Sequence, residues 1–101
     1  MAVQRWKWDT VPSRAELRRE WGAKGFSCEV WVDRPGRKWL NFVHDMDELV
    51  LVIRGIIRLE VEGDVVELHP GDEALIPAHA NHSVYNIGGT EVLWYFGYHS
   101  G

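Results

Sequence analysis

The sequence predicts an all-β protein, built as a barrel or a sandwich of short strands. Short apolar and β-branched runs recur along the chain, and turns that contain glycine, proline or aspartate separate them. The segment IIRLEVE alternates as a half-buried strand does, with Ile57, Leu59 and Val61 on one face. No helix is available between strands to cross over a parallel sheet. The pattern therefore excludes a parallel α/β fold.

The first dozen residues look extended and are predicted to add a strand to a sheet edge. Ser13 and Glu16 then form a capping-box pattern, which predicts a short helix from about Arg14 to Trp21 with Gly22 as its stop. Leu17 and Trp21 lie four residues apart on its inner face. We expect this helix to pack outside the sheets; an interaction helix is the alternative. Predicted strands follow in SCEVWVD, WLNFVH, ELVLVI, IIRLEVE, VVEL, EALIP, HSVYN and EVLWYFGY.

Composition narrows the possible functions. The chain of 101 residues carries a net charge of -4 with a pI of about 5.7, so it offers no basic field for nucleic acid or an acidic membrane. Its single cysteine, Cys28, excludes an internal disulfide and suits a reducing cytoplasm. The N-terminal stretch MAVQRWKWD has no apolar core of the kind found in signal peptides, so we expect no signal peptide, and no apolar run approaches the length of a membrane span. We expect a cytoplasmic protein without nucleic-acid or membrane partners.

The stretch from Gly36 to Gly55 carries the first candidate site residues. Strand alternation puts Leu40, Phe42 and His44 on one face, and the polar break DMD has the length of a hairpin loop. Glu48 opens the next strand, so a hairpin would set its carboxylate beside His44, both facing inward. Two such groups are costly in an apolar interior unless something pairs with them.

The stretch from Gly71 to Asn86 supplies a possible partner. It reads as a turn, a short strand, a proline-bounded loop and a second strand that opens with His82. If the two stretches meet in a closed sheet, His82 joins His44 and Glu48 to form a two-histidine, one-carboxylate set, which binds divalent metals. The alternative is a polar pocket in which Glu48 pairs with a histidine and no metal is bound.

The two stretches resemble the paired motifs of the cupins. Gly36, Phe42, His44, Glu48 and Gly55 have the spacing of the first motif, G-x5-H-x-H-x(3,4)-E-x6-G. Gly71, Pro77, His79, His82 and Asn86 have the spacing of the second motif, G-x5-P-x-G-x2-H-x3-N. The resemblance implies a cupin double-stranded β-helix, a jelly-roll barrel with one short N-terminal helix. It implies one domain over residues 1–101, with an extension at 1–26 and the barrel at 27–98.

Two departures from the cupin pattern bear on the site. Phe42 stands where the first motif has its leading histidine, and His79 stands where the second has its glycine. The resemblance thus implies three of the family's four usual ligands, His44, Glu48 and His82, for Zn²⁺, Fe²⁺, Mn²⁺ or Ni²⁺. We expect His79 to adopt the glycine conformation at a loop tip, with ligation as the alternative.

Strand parity predicts a largely apolar pocket around this site, suited to a small molecule with one polar group. Asn86 shares the face of His82, where it would close a turn or bond near the pocket. The predicted lining is Leu40, Phe42, Val50, Val52, Ile57, Leu59, Ile76, Val84, Asn86, Trp94 and Phe96. The six tryptophans are expected to pack between layers or at a subunit contact, or else to stack on a ligand.

The strands ELVLVI and EVLWYFGY are apolar on both faces, and the helix is too short to cover both. A homodimer packed sheet to sheet is therefore expected, as in many small cupins. The family includes dioxygenases, isomerases, cyclases and lyases, so the resemblance implies a metal-dependent enzyme without selecting a reaction, with Glu48 as ligand or proton carrier. A non-catalytic binding or sensing module is the alternative, and a scaffold with a vestigial pocket is a third reading.

Overall fold

The structure is a computed structural model that describes residues 3–5 and 11–100. Within these residues the chain forms nine strands and one helix. In chain order the elements are β1 (Val3–Arg5), α1 (Arg14–Ala23), β2 (Glu29–Asp33), β3 (Lys38–Phe42), β4 (Glu48–Arg54), β5 (Ile57–Val61), β6 (Asp64–Leu68), β7 (Asp72–Ile76), β8 (His82–Asn86) and β9 (Val92–Tyr98). No helix of the described residues is long and apolar enough to cross a membrane.

The strands form two antiparallel sheets, and the predicted all-β architecture is confirmed. One sheet has five strands in the order β1-β7-β4-β9-β2, and the other has four in the order β3-β8-β5-β6. The predicted edge strand at the N-terminus is present as β1, which pairs with β7. Of the rest of that expectation, residues 1–2 and 6–10 lie outside the described residues, and residues 11–12 are not in a strand. The division into an extension at 1–26 and a barrel at 27–98 stays a prediction.

The predicted hairpin between β3 and β4 is wrong. β3 pairs with β8, whereas β4 lies between β7 and β9 in the other sheet. The segment 43–47 therefore carries the chain from one sheet to the other. Tertiary pairing decides this, because a short polar break serves equally well as a hairpin turn or as a link between facing sheets.

The main core lies between the two sheets. Strand β5 shows how the sequence fills it, since Ile57, Leu59 and Val61 are buried and alternate with half-buried charged residues. Burial of this apolar face is the dominant stabilising term of such a fold. The buried members of this cluster are Val50, Val52, Ile57, Leu59, Val61, Leu68, Ala74, Ile76, Ala80, Val84, Val92 and Trp94.

Helix α1 begins as the sequence predicts and ends later. Ser13 and Glu16 make both bonds of the capping box, which satisfies two amide groups of the first turn. The predicted stop at Gly22 is wrong, because the helix continues to Ala23. Gly25 follows with φ +85°, and the amide of Phe26 donates to the Trp21 carbonyl, as in a Schellman ending.

The helix covers the outer face of the five-stranded sheet. Leu17 and Trp21, both fully buried, pack in one cluster with Leu49, Leu51 and Tyr95. Both faces of β4 are thus covered within the chain, one by the opposite sheet and one by α1. The sequence predicts that the helix is too short to cover both doubly apolar strands, and in the structure it covers the outer face of β4. The apolar faces of this strand therefore do not by themselves require a second subunit.

Candidate metal centre and pocket

Three potential metal ligands meet between the two sheets. His44 lies in the 43–47 segment, Glu48 is the first residue of β4, and His82 is the first residue of β8. One ligand atom from each of the three lies within 4.8 Å of the others. The site is thus assembled from both sheets and from the connection between them.

Glu48 lies at the centre of this group. Its Oε1 atom is 3.6 Å from Nε2 of His44 and 3.6 Å from Nε2 of His82. The same oxygen atom is buried and has no hydrogen-bond partner. Burial raises the pKa of Glu48 to about 7, since a charged carboxylate is costly away from water. An unsatisfied buried oxygen facing two imidazoles is the arrangement that a cation stabilises.

His82 has a defined tautomer in this setting. Its Nδ1 atom lies 3.2 Å from the carbonyl oxygen of Ala80, which can only accept, so Nδ1 carries the proton. In the neutral ring, Nε2 then presents a lone pair toward Glu48. Orientation of a ligating imidazole by a backbone carbonyl on its other nitrogen is typical of metal sites.

His44 is held in place through the backbone. The amide of His79 donates to the His44 carbonyl at 2.7 Å, and the amide of Ala78 donates to the Asp47 carboxylate at 2.8 Å. These bonds connect the 43–47 segment to the loop that precedes His82, so the two histidines are positioned together. The pKa of His44 is lowered by burial and, to a smaller extent, by His82.

His79 has the backbone conformation expected from its position in the second motif. Its φ angle is +68°, in the left-handed region that glycine favours and histidine tolerates. The side chain is exposed and is not part of the group of potential ligands. The alternative in which His79 replaces the missing fourth ligand therefore finds no support in the geometry.

A cavity of about 220 Å³ opens beside the three ligands. Aromatic rings form most of its wall, and its polar groups are concentrated around Glu48. Tyr98 lies at this polar end, with its hydroxyl 3.4 Å from Nε2 of His44. The lining residues are Trp31, Trp39, Phe42, His44, Glu48, Val50, His82, Val84, Trp94, Phe96 and Tyr98.

Of the predicted pocket residues, the structure brings five to this cavity: Phe42, Val50, Val84, Trp94 and Phe96. Six others do not line it. Val52, Ile57, Leu59 and Ile76 face the interior as predicted but are part of the packed core. Strand parity identifies the face of a residue and does not tell how far along the strand a cavity extends.

Asn86, which was predicted to line the pocket, does not line the cavity. Its side chain is buried and donates to the carbonyl groups of Arg34 and Thr90, each at 2.9 Å. This amide holds loops together and does not line the cavity. Asn86 thus has the turn-closing role that was one of its two expected roles.

Leu40 is excluded from the cavity by an irregularity in β3. Trp39 pairs with Val84 and Phe42 with His82, so two residues of β3 stand opposite one residue of β8. Asn41 has φ +57° at this bulge. The bulge reverses the parity, so Trp39 and Phe42 share the inner face and Leu40 is 51% exposed.

Three residues that line the cavity were not predicted from the sequence: Trp31, Trp39 and Tyr98. Tyr98 shares the parity of Trp94 and Phe96 in β9, so extending that prediction to the strand end would have found it. Trp39 was hidden by the bulge. Trp31 pairs with Trp94 across β2 and β9, a relationship that only the sheet order reveals.

Comparison with known proteins now identifies the family. A family model described as "Cupin domain" matches residues 29–98. The chain belongs to the cupin family. This match confirms the resemblance of the two motifs and the jelly-roll fold that the resemblance implied. No curated protein is significantly similar to this cupin.

Solved structures of low sequence identity resemble this one in fold. The plu4264 protein of Photorhabdus luminescens is 24% identical, with a TM-score of 0.67 over 73% of this chain and 62% of that chain. A RmlC-like cupin from Shewanella frigidimarina is 17% identical, with a TM-score of 0.68 over 76% and 68%. Salicylate 1,2-dioxygenase from Pseudoaminobacter salicylatoxidans, solved with gentisate, is 17% identical, with a TM-score of 0.68 over 75% of this chain and 20% of that chain.

Proposed function

We propose that this cupin is a metal-dependent enzyme that acts on a small molecule in its aromatic pocket. The observation that carries this proposal is the Oε1 atom of Glu48, which is buried without a hydrogen-bond partner and lies 3.6 Å from two imidazole nitrogens. A divalent ion held by Glu48, His44 and His82 would satisfy all three groups. The donor set suits Zn²⁺, Fe²⁺, Mn²⁺ and Ni²⁺ alike.

Such an ion, when bound, supplies Lewis-acid polarisation of a substrate oxygen or activation of water or dioxygen. The chain's own residues supply the rest of the chemistry. Glu48 can hold or release a proton at Oε1 near neutral pH in the metal-free site, because its pKa is about 7. Burial, and then the charge of Glu48, raises the pKa of Tyr98 to about 12, so its hydroxyl keeps its proton at neutral pH. This hydroxyl lies 3.4 Å from Nε2 of His44, to which it can donate when that nitrogen carries no proton.

The second candidate is a binding or sensing module that breaks no bond. Phe42 favours it, because an aromatic ring occupies the motif position of the fourth ligand and lines the cavity instead. A set of three metal ligands can still hold an ion, and the pocket can bind a small molecule without catalysing its conversion. The two candidates differ in turnover: protein that carries metal but leaves a panel of oxidisable and isomerisable small molecules unchanged would support the binding module.

The metal itself is tested by elemental analysis of protein purified without chelator or nickel resin. We expect close to one equivalent of divalent metal in the parent protein and a loss of most of it in His44→Ala and His82→Ala. His69→Ala is the matched control, because His69 is exposed and pairs with Glu67 away from the site. Unchanged metal content in both site variants would contradict the proposed centre.

We further propose that this cupin forms a homodimer. The exposed apolar side chains of the edge strand β2, Val30 and Val32 at 39% and 47%, support it, together with Val43 at 54% beyond β3. Sedimentation equilibrium of the parent and of a Val30→Lys, Val32→Lys variant tests this assembly; a monomeric parent would overturn it. A cytoplasmic location and the absence of nucleic-acid and membrane partners stay predictions.

A further inference from the structure

Asp33 holds two tryptophans of the pocket in a fixed arrangement. The residue ends β2 and is only 6% exposed. Its Oδ1 atom accepts the indole N–H of Trp31 at 2.8 Å, and its Oδ2 atom accepts that of Trp39 at 2.7 Å. Trp31 belongs to the five-stranded sheet and Trp39 to the four-stranded sheet. One buried carboxylate thus connects the two walls of the cavity, a role that the metal centre does not require.

The two rings form a preorganised aromatic corner. The centroids of Trp31 and Trp39 are 5.9 Å apart at an interplanar angle of 71°, and Phe42 follows at 5.8 Å from Trp39. Arg37 stacks its guanidinium 4.3 Å from the Trp39 ring centre, which restrains that ring further. Trp31 is 43% exposed and Phe42 is 39% exposed, whereas Glu48 is 7% exposed. The corner therefore lies toward the solvent side of the cavity.

The size and the lining of the cavity restrict what fits. A cavity of about 150 Å³ with an apolar lining binds benzene, so about 220 Å³ holds one six-membered ring with small substituents. Rings line most of the wall, and the lining also includes Glu48, the two histidines and the Tyr98 hydroxyl. The indole N–H of Trp94, another lining residue, is buried without a hydrogen-bond partner. Aromatic faces and edges favour a planar ring over a saturated one of equal size.

We propose that the pocket binds a single-ring aromatic compound with an oxygen substituent, with Asp33 as the positioning residue for its ring. The ring packs in the Trp31–Trp39 corner, and the oxygen substituent lies near Glu48. This inference rests on the proposed function, for which it names the ligand class. Asp33 acts through the tryptophans and does not itself line the cavity.

Calorimetric titration with phenol and with cyclohexanol tests the ligand class, because the two probes share the hydroxyl and differ in the planarity of the ring. Each titration is run on metal-free protein and on protein loaded with Zn²⁺. We expect phenol to bind the parent about tenfold more tightly than cyclohexanol in both forms, the preference that one or two aromatic contacts give. Equal affinities for the two probes would overturn the proposal.

Two variants locate this preference. Trp31→Leu retains an apolar side chain at a position that is 43% exposed, and it should reduce the preference for phenol to about twofold. Asp33→Asn should lower phenol affinity and shift the indole N–H resonances of Trp31 and Trp39, and of no other tryptophan in the described part of the chain. Tyr85→Phe is the control, because Tyr85 bonds to Glu60 outside the cavity. A preference unchanged in Trp31→Leu would contradict the proposed corner.

The two proposals can fail separately. Ring preference in metal-free protein, together with no metal in the purified protein, would support the aromatic site and contradict the metal centre. Metal bound through His44 and His82 without ring preference would support the centre and contradict the ligand class. If Asp33→Asn does not fold, the titration of Trp31→Leu still decides the outcome.

Discussion

Oε1 of Glu48 and Nε2 of His82 face each other at 3.6 Å, and Nδ1 of the same imidazole is bonded to the Ala80 carbonyl. Both facing atoms are therefore acceptors when the histidine is neutral and the carboxylate is charged. Two acceptors this close in a buried place are stabilised by a proton or by a cation between or beside them. A metal ion at the proposed centre would therefore compete with a proton for Oε1 of Glu48.

The first prediction concerns the stability of the metal-free protein as a function of pH. The pKa of Glu48 is raised from 4.5 to about 7 in the folded protein. Between these two pH values the folded state therefore keeps a proton on Glu48 that the unfolded state has released. The contribution of Glu48 is therefore most favourable below pH 4.5 and is lost as the pH rises through 7. The loss is on the order of 3 kcal/mol.

Glu48→Gln isolates this contribution, since glutamine does not titrate. We expect urea unfolding in the presence of a chelator to show that the parent loses stability relative to Glu48→Gln between pH 4.5 and 7.5. The comparison with Glu48→Gln is needed because His44 also contributes to the pH dependence. The pKa of His44 is lowered in the folded protein, so His44 reduces the stability as the pH falls below 6.5, whereas Glu48 reduces it as the pH rises. A parallel pH dependence in the two proteins would contradict the buried, unpaired state of Glu48.

The second prediction concerns metal and thermal stability. An ion that binds only the folded state stabilises it by about 2.7 kcal/mol at a concentration 100 times its Kd. We expect added Zn²⁺ or Ni²⁺ to raise the Tm of the chelator-treated protein, and a chelator to reverse the rise. Mg²⁺ should have little effect, because it prefers oxygen ligands in octahedral geometry.

His82→Ala should abolish the Tm shift, whereas His69→Ala should retain it. His82 is 4% exposed and is one of the three potential ligands, while His69 is exposed and lies outside the group. Differential scanning fluorimetry is sufficient for this comparison. An equal rise in both variants would show that the metal binds elsewhere.

The sequence was sufficient to predict the fold and the convergence of His44, Glu48 and His82, but not the whole pocket. The positions of His44, Glu48 and His82 within the two motifs predict that the three side chains converge. This prediction does not depend on how the strands are connected, because each side chain keeps its place in or beside its own strand and its inward direction. Glu48 and His82 each open a strand as predicted, but these strands belong to different sheets. The hairpin used to bring His44 to Glu48 was wrong, yet the two still meet at the link between the sheets.

The pocket lining depends on features that are not local in sequence. The bulge at Asn41 moves Trp39 inward and Leu40 outward, and the only local signal is that asparagine tolerates a positive φ angle. Trp31 reaches the cavity because β2 lies beside β9, a neighbour relationship set by the whole sheet. The alternation of apolar and polar residues along a strand predicts neither the bulge at Asn41 nor the pairing of β2 with β9.

The third prediction compares two glycines. A Cβ atom at Gly97 would overlap the carbonyl oxygen of Ser27, a backbone atom that has little freedom to move. Gly97→Ala should therefore destabilise the protein by about 3 kcal/mol, the upper end of the usual cost of overpacking. Gly22→Ala is the matched control, since a Cβ there meets nothing within 4 Å and alanine favours a helix.

Thermal unfolding of both variants measures the contrast. We expect the Tm of Gly22→Ala to equal or slightly exceed that of the parent, because Gly22 lies within α1 and not at its left-handed end. The Tm of Gly97→Ala should fall by more than 10 °C, given about 4–8 °C per kcal/mol for a domain of this size. Similar Tm values for the two variants would contradict the close packing of Ser27 on β9.

The last prediction concerns Phe42, the residue that stands in place of the family's leading histidine. Its ring centre lies 6.3 Å from that of His44 and 6.4 Å from that of His82, and the ring lines the cavity. Phe42→His would place a fourth donor beside the other three. An imidazole nitrogen is a usual ligand of these ions, so we expect Zn²⁺ or Ni²⁺ affinity to rise at least about tenfold. A tenfold rise corresponds to about 1.4 kcal/mol of binding free energy.

Phe42→Leu is the control, because it removes the ring without adding a donor. Competition against a chromogenic chelator gives the affinity of the three proteins on one scale, and Phe42→His combined with His82→Ala tests whether the new imidazole belongs to the same site. If that double variant binds as tightly as Phe42→His, the new imidazole binds metal away from His82. If Phe42→His binds no more tightly than Phe42→Leu, position 42 does not face the metal. In either case the three-donor centre would have to be redrawn around a different arrangement of Glu48 and its two histidines.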